Sequence, residues 1–210
     1  RLKESGYRKI RWEKFELFID VGEVGPDYQP GHAHADTFSF ELYINGRPVI
    51  VDTGTSTYVV NNTRFYERST AAHNTVVVCG QNSSQVWAAH RVARRARVQV
   101  FCDEEERIVA VHDGYKRLGC LHTRKVEKVG KYIRITDEVD REGTAYLHFM
   151  PKENVVLDGN RLLGSDYCIE FDGAREIEPF TSMYAPEFNK REERRSFRIS
   201  FDRRLETIIQ

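Results

Sequence analysis

Three short stretches carry side chains that bind metals and move protons: Gly31-His32-Ala33-His34-Ala35-Asp36, Val51-Asp52-Thr53-Gly54 and Ala72-His73-Asn74. Side chains on a β-strand repeat every second residue, so a strand over the first stretch would aim His32 and His34 to one side. Two imidazoles and a carboxylate from separate segments form a donor set for zinc, with a fourth position left open. Assigning His34, Asp52 and His73 to the metal leaves His32 beside it. A neutral imidazole gives or takes a proton near pH 7, which makes His32 the expected catalytic acid or base. Each residue also has a plainer reading. His-x-His can be a hydrogen-bonded or exposed pair, Asp52 a turn residue, and His73-Asn74 a backbone-bonding pair at a strand entry.

These residues must be held by strands. Phe38–Ile44 and Pro48–Asp52 are β-rich runs joined by Asn45-Gly46, a pair that takes the left-handed hairpin turn at low cost. Tyr7–Trp12, Phe15–Val21, Thr75–Val78, Val98–Phe101, Ile108–Val111, Tyr132–Thr136, Ala145–Met150, Asn154–Leu157, Cys168–Phe171 and Ser196–Phe201 read as further strands. Turn pairs separate them at Asp113-Gly114, Glu142-Gly143, Asp158-Gly159 and Asp172-Gly173. Short strands with such spacing predict an all-β fold, a two-layer antiparallel β-sandwich with few short helices. Asn61–Ser69 is the one expected turn or short helix, and Glu187–Glu193 reads as a solvated loop or helix. A cupin-type barrel also uses His-x-His, but needs a Glu soon after. Phe38 and Ser39 stand there instead, and Glu41 comes too late.

The chain has 210 residues, 32 Lys and Arg against 32 Asp and Glu, and a formal net charge of zero. A single domain over residues 1–210 is large enough to bury a real core. Neutral balance gives no reason to expect nucleic acid or an anionic membrane as partner. No apolar run approaches the roughly 20 residues that span a bilayer. Cys79, Cys102, Cys120 and Cys168 are too scattered for a zinc finger or redox motif. Most are expected as small apolar core residues, with any disulfide left open. His90, His112, His122 and His148 lack metal-like spacing, and His148, in an apolar run, is expected to be a satisfied core histidine. Arg1-Leu2-Lys3-Glu4 opens the chain without Met or an apolar signal core, as in a domain cut from a longer protein.

Read in order, Gly31–Asp36, Ser39-Phe40, Asn45-Gly46, Val51–Thr55, Arg68–Thr75 and Gly80-Gln81 resemble the C-terminal domain of the heparinase II/III-like polysaccharide lyases. Weaker echoes follow at His112–Tyr115 and His122–Arg124. The strong part covers about residues 30 to 90. The resemblance implies a β-sandwich packed against an N-terminal α/α toroid absent here, with an acidic polysaccharide in the cleft between them. It implies β-elimination at a uronate: a base removes the C5 proton, an acid protonates the leaving oxygen, and polar groups neutralise the carboxylate. His32 matches the active-site histidine of the domain, and His34, Asp52 and His73 match its zinc ligands, the zinc being structural or orienting. The toroid carries the remaining catalytic groups, so the isolated domain is expected to be inactive. A non-catalytic carbohydrate-binding module and a polysaccharide-biosynthesis protein of the same fold are the alternatives. The resemblance favours a periplasmic or secreted parent, and a homodimer is left open. Cys79 stands where the family often has Asp.

For such a substrate, Arg68 and Arg91 are expected to meet carboxylate or sulfate, since guanidinium binds both bidentately. Trp87 and Tyr58 are expected to stack on sugar rings or to pack at the rim. Arg68, beside the His73 motif, has the alternatives of positioning that motif and of pairing with Glu67 or Glu41. For Arg94, Arg95 and Arg97 the expectation is an exposed face paired with Glu104–Glu106.

Overall fold

Aromatic and β-branched residues alternating with polar ones form a strand that is wet on one side and dry on the other. Phe15, Leu17 and Ile19 show this in β2 (Phe15–Asp20), as do Phe40, Leu42 and Ile44 in β3 (Phe40–Ile44). With β1 (Tyr7–Trp12) and β4 (Arg47–Ile50) they form an antiparallel sheet in chain order. The computed structural model describes residues 4–210; Arg1, Leu2 and Lys3, at the head of the assigned domain, lie outside the described residues. Asn45 and Gly46 take φ of 51° and 76°, the left-handed turn expected of that pair.

After β4 the chain forms α1 (Asn62–Glu67), capped by Asn61, whose side chain accepts the Arg64 amide. A 3-10 turn over Thr70–Ala72 leads into β5 (Val76–Val78), followed by the hairpin β6 (Gln85–Trp87) and β7 (Arg91–Ala93). The second sheet contains β8 (Val98–Asp103), β9 (Arg107–His112), β10 (His122–Val129), β11 (Tyr132–His148), β12 (Val156–Asp158), β13 (Arg161–Leu163), β14 (Cys168–Tyr184) and β15 (Glu192–Ile209). Its order is β12-β13-β14-β15-β11-β10-β9-β8, with β5 also paired to β11. Inward residues of both sheets share one apolar core that includes Leu17, Leu42, Val126, Ile135, Phe197 and Phe201. The fold is a two-layer antiparallel β-sandwich, as the strand pattern predicts. The backbones of the two layers bond at one corner, where Val51 N–H donates to His148 O at 3.0 Å and Met150 N–H to Val49 O at 2.9 Å. That corner sets Asp52 at the end of β11.

Several sequence expectations are corrected. Glu142-Gly143 and Asp172-Gly173 are not turns but irregularities inside β11 and β14, which each run 17 residues. Gly143 is there for closeness, since an added Cβ would lie 2.5 Å from the Phe201 ring. Among the cysteines only Cys120 is buried; Cys79 is exposed at a φ of 48°, and all are free thiols. Residues 187–191 form a loop, and β15 starts at Glu192. No helix of the described residues is long and apolar enough to cross a membrane.

The strand β10 reads as polar, yet His122 and Arg124 point inward because their partners are also buried. Arg124 donates to both Asp137 carboxylate oxygens, at 2.7 and 2.9 Å. Gly114 N–H donates to His112 Nδ1 at 3.1 Å, His112 Nε2–H to His122 Nδ1 at 3.0 Å, and His122 Nε2–H to Asp137 at 2.7 Å. Although burial alone would raise it, the Arg124 and His122 partners hold the Asp137 carboxyl well below the usual range. Asp137→Asn strands the Arg124 cation and is expected to cost about 3–5 kcal/mol at pH 7. A carboxylate with a depressed folded pKa stabilises above its unfolded value and loses that contribution as pH falls. The deficit of the variant should therefore shrink below about pH 4. Urea unfolding at the two pH values checks this, and a pH-independent deficit would contradict it.

Candidate metal centre and adjoining cleft

The chain from residue 21 to residue 39 is a loop, not a strand. Ala33 N–H closes a turn on Pro30 O at 2.9 Å, and Ser39 N–H closes one on Asp36 O at 2.7 Å. Two-residue alternation therefore does not apply, and the strand placement of His32 and His34 is corrected. The two rings find different neighbours. The ring of His34 lies 5.3 Å from that of His73, while the ring of His32 lies 5.3 Å from Tyr58 and 5.3 Å from His90.

His73 follows the 3-10 turn and is tied to the His34 loop through its neighbours. Ala35 N–H donates to Arg68 O at 3.0 Å, and Thr70 Oγ1 donates to Ala35 O at 2.8 Å. Asp52 leaves β4 with Oδ1 accepting from Gly54 N–H at 2.9 Å and Oδ2 lying 2.6 Å from His73 Nδ1. Donor atoms of His34, Asp36 and His73 all lie within 4.8 Å of one another. Asp52 stands outside that trio, joined to it through His73. The Nε2 atom of His73 is buried without a hydrogen-bond partner.

Charge in this cluster is strongly coupled. Burial, then the neighbouring His73, push His34 down to about 3, so its ring is neutral at pH 7. Its Nε2 accepts from Arg64 Nη1 at 3.1 Å. Burial, with Asp20 and Asp52 nearby, pushes Asp36 up to about 7 despite His73. Removal from water would raise Asp52 and lower His73, but their mutual attraction reverses both: Asp52 lies well below its ordinary range and His73 lies above its own. Neutral His34, a charged Asp52 and a buried ring nitrogen without a partner are what a divalent cation requires. Asp36 and Asp52 also line a cavity of about 360 Å³ with Asp20, Glu41 and Tyr7.

Beside this cluster, His32, Trp87, His90 and Arg91 line a second cavity of about 410 Å³. The structure thus brings together three of the expected chemistry-bearing residues, His32, Trp87 and Arg91. Tyr58 borders it, with its ring 5.5 Å from His90, 5.4 Å from Phe188 and 5.0 Å from the Arg64 guanidinium carbon. Trp87 is 44% exposed, as stacking on a ligand requires.

Arg68 is not among the residues lining the His32 cleft; it lines a separate cavity of about 300 Å³ with Phe65, Val86, Trp87 and Ala88. Its side chain is buried and donates to main-chain carbonyls: Ala33 O at 3.0 Å, Ala88 O at 3.1 Å and Arg91 O at 3.2 Å. It pairs with neither Glu67 nor Glu41. Glu67 instead accepts from Ser56 N–H at 3.1 Å. Arg68 is a strut that fixes the His32 loop against the β6–β7 hairpin, and so fixes the width of the cleft. Arg95 and Arg97 pair with Asp27 and Glu23, not with Glu104–Glu106. His148 is a satisfied core histidine, 2.9 Å from Ser196 Oγ and 3.0 Å from Ala71 O. Sequence reasoning passed over Arg64 and Asp36. Asp36 was visible two residues after His34; Arg64, on an ordinary helix, gave no signal.

The Gly31–Asp36, Asp52 and His73 segments sit on a fold that solved structures share. A heparinase III gene product superposes with a TM-score of 0.79 at 20% identity, over 98% of this chain and 35% of its own. The heparan sulfate lyase of Pedobacter heparinus gives 0.78 at 19% identity, over 98% and 35%. A heparin-sulfate lyase of Bacteroides stercoris is 30% identical over 133 residues, which is 59% of this chain and 19% of that protein. The chain therefore spans about a third of the solved structures it resembles, and less of the curated relative. Residues 1–210 match the family described as Heparinase II/III-like, C-terminal, and the chain belongs to that family.

Proposed function

We propose that this chain is the zinc-binding β-sandwich domain of a polysaccharide lyase that cleaves uronate-containing chains by β-elimination, with little or no turnover on its own. The observation that carries the reading is the link that Arg64 and Tyr58 make between two sites. Arg64 donates to His34 of the His–His–Asp–Asp cluster and lies over Tyr58, whose ring packs on His32 and His90 of a cleft that also presents an indole and a guanidinium.

In the cleft, Arg91 would meet the uronate carboxylate and withdraw charge from it, which acidifies the C5 proton. Trp87 would carry a sugar ring on its exposed face. His32 would hold or move a proton: the C–H electron pair becomes the C4–C5 double bond, and the C4–O bond breaks as its oxygen is protonated. Bound zinc would supply a fixed positive charge that braces the cleft wall, since elimination consumes no water. His34, Asp52 and His73 would hold it, with Asp36 as a fourth donor. A site closed by four protein groups is the structural kind. The remaining acid–base groups would come from an N-terminal helical domain across the cleft.

The test uses the full-length parent and this chain, each incubated with heparan sulfate, alginate and hyaluronan. Ultraviolet absorbance of the unsaturated uronate reads the product. The parent is expected to release it from at least one substrate, and the isolated chain from none. A parent that binds these polymers without releasing product would overturn the catalytic reading and leave a carbohydrate-binding module.

A further inference from the structure

We infer that Arg194 is a positioning residue for the metal centre, holding Asp52 and His73 at the spacing that a cation needs. The inference rests on the metal-centre reading above and deepens it. Arg194 comes from β15, more than 140 residues after Asp52 in sequence. Its side chain is buried, 3% exposed. Nη1 donates to Val51 O at 3.0 Å and to Asp52 O at 3.2 Å, and Nη2 donates to Thr53 Oγ1. Thr53 Oγ1 in turn donates to Ala72 O, the carbonyl just before His73. One guanidinium thus joins the backbones of both segments.

A second route reaches the same turn. Arg194 Nε donates to Ser182 Oγ at 3.0 Å, Ser182 lies 2.6 Å from Ser196 Oγ, and Ser196 lies 2.9 Å from His148 Nδ1. His148 Nε2–H then donates to Ala71 O at 3.0 Å. Among the described residues Arg194 forms no ion pair with a carboxylate. Burial pushes it down to about 10, and the charge of Asp52 is the largest influence in the opposite direction. A buried cation without a salt-bridge partner is expensive. It is retained where its planar fork does something a lysine cannot, here spanning two carbonyls and two hydroxyls in fixed directions.

Removal of partners that orient metal ligands costs about 10–100-fold in metal affinity. Zinc affinity of this chain is measured by chelator competition, at a temperature where circular dichroism shows each variant folded. Arg194→Gln is expected to bind zinc about 10–100-fold more weakly than wild type. Arg194→Lys should fall between, since it keeps the charge but not the span. Thr53→Val, close in volume, should weaken binding in the same direction and decides the matter if Arg194→Gln does not fold. A purely structural role would lower the melting temperature and leave the zinc affinity of the folded variants unchanged, and that result overturns the inference. Wild type that binds no zinc removes the metal centre itself, and this role with it.

Discussion

His73→Ala is expected to abolish stoichiometric zinc binding at neutral pH, and Asp52→Asn to do the same. His73 is the hinge of the cluster: one ring nitrogen lies 2.6 Å from Asp52, the other is buried with nothing to bind, and its ring stands next to His34. Asp52 holds His73 above its ordinary value, which favours the protonated ring in the metal-free chain. A cation bound by His73 must displace that extra proton, so uptake releases acid and strengthens as pH rises. Asp36 follows the same rule. Held near 7 by burial, it is half protonated at neutral pH and becomes a full donor only above that. Zinc at 100 times its Kd should stabilise wild type by about 2.7 kcal/mol and the His73 variant not at all. Metal analysis and melting with and without zinc check both outcomes. A His73→Ala protein that still carries one zinc would place the metal elsewhere.

His32→Ala in the full-length parent is expected to lower lyase turnover by about 10²–10⁴-fold, the range a positioned acid or base contributes. Zinc content should not change, because His32 packs against Tyr58 and His90 rather than among the metal donors. The split is the informative part. Loss of turnover with full zinc separates proton transfer from bracing, whereas loss of both would make His32 a ligand. Wild-type turnover in the variant would remove His32 from the mechanism.

Signals set by neighbouring residues can be read from the sequence, and those set by distant strands cannot. The Asn45-Gly46 hairpin and the first two strands are local, set by turn chemistry and two-residue alternation, and the structure has them at the expected residues. The long strands were not legible as such. A glycine that makes room for the Phe201 ring looks the same in sequence as a glycine that turns the chain. His34, Asp52 and His73 stood out by residue type; the structure sets His73 beside both of the others, through a loop and not a strand face, and puts Asp36 rather than Asp52 in the trio of donors closest to one another. Arg124 and Arg194 could not be read, and of Arg68 only its place beside the His73 motif could. Each is a buried guanidinium that donates to carbonyls of the segments carrying the site: Ala33, Phe38 and Asn74, and Val51 and Asp52. Such bonds depend on where distant strands meet, and no local pattern announces them. For Arg68 this turned an expected substrate contact into a strut.

The most direct measurement is anomalous diffraction at the zinc edge from crystals of the zinc-loaded chain. One peak is expected about 2.0–2.2 Å from imidazole nitrogens of His34 and His73 and from carboxylate oxygens of Asp52 and Asp36, with His32 unligated in the neighbouring cleft. No peak at that cluster, or a peak bonded to His32, would contradict the zinc assignment.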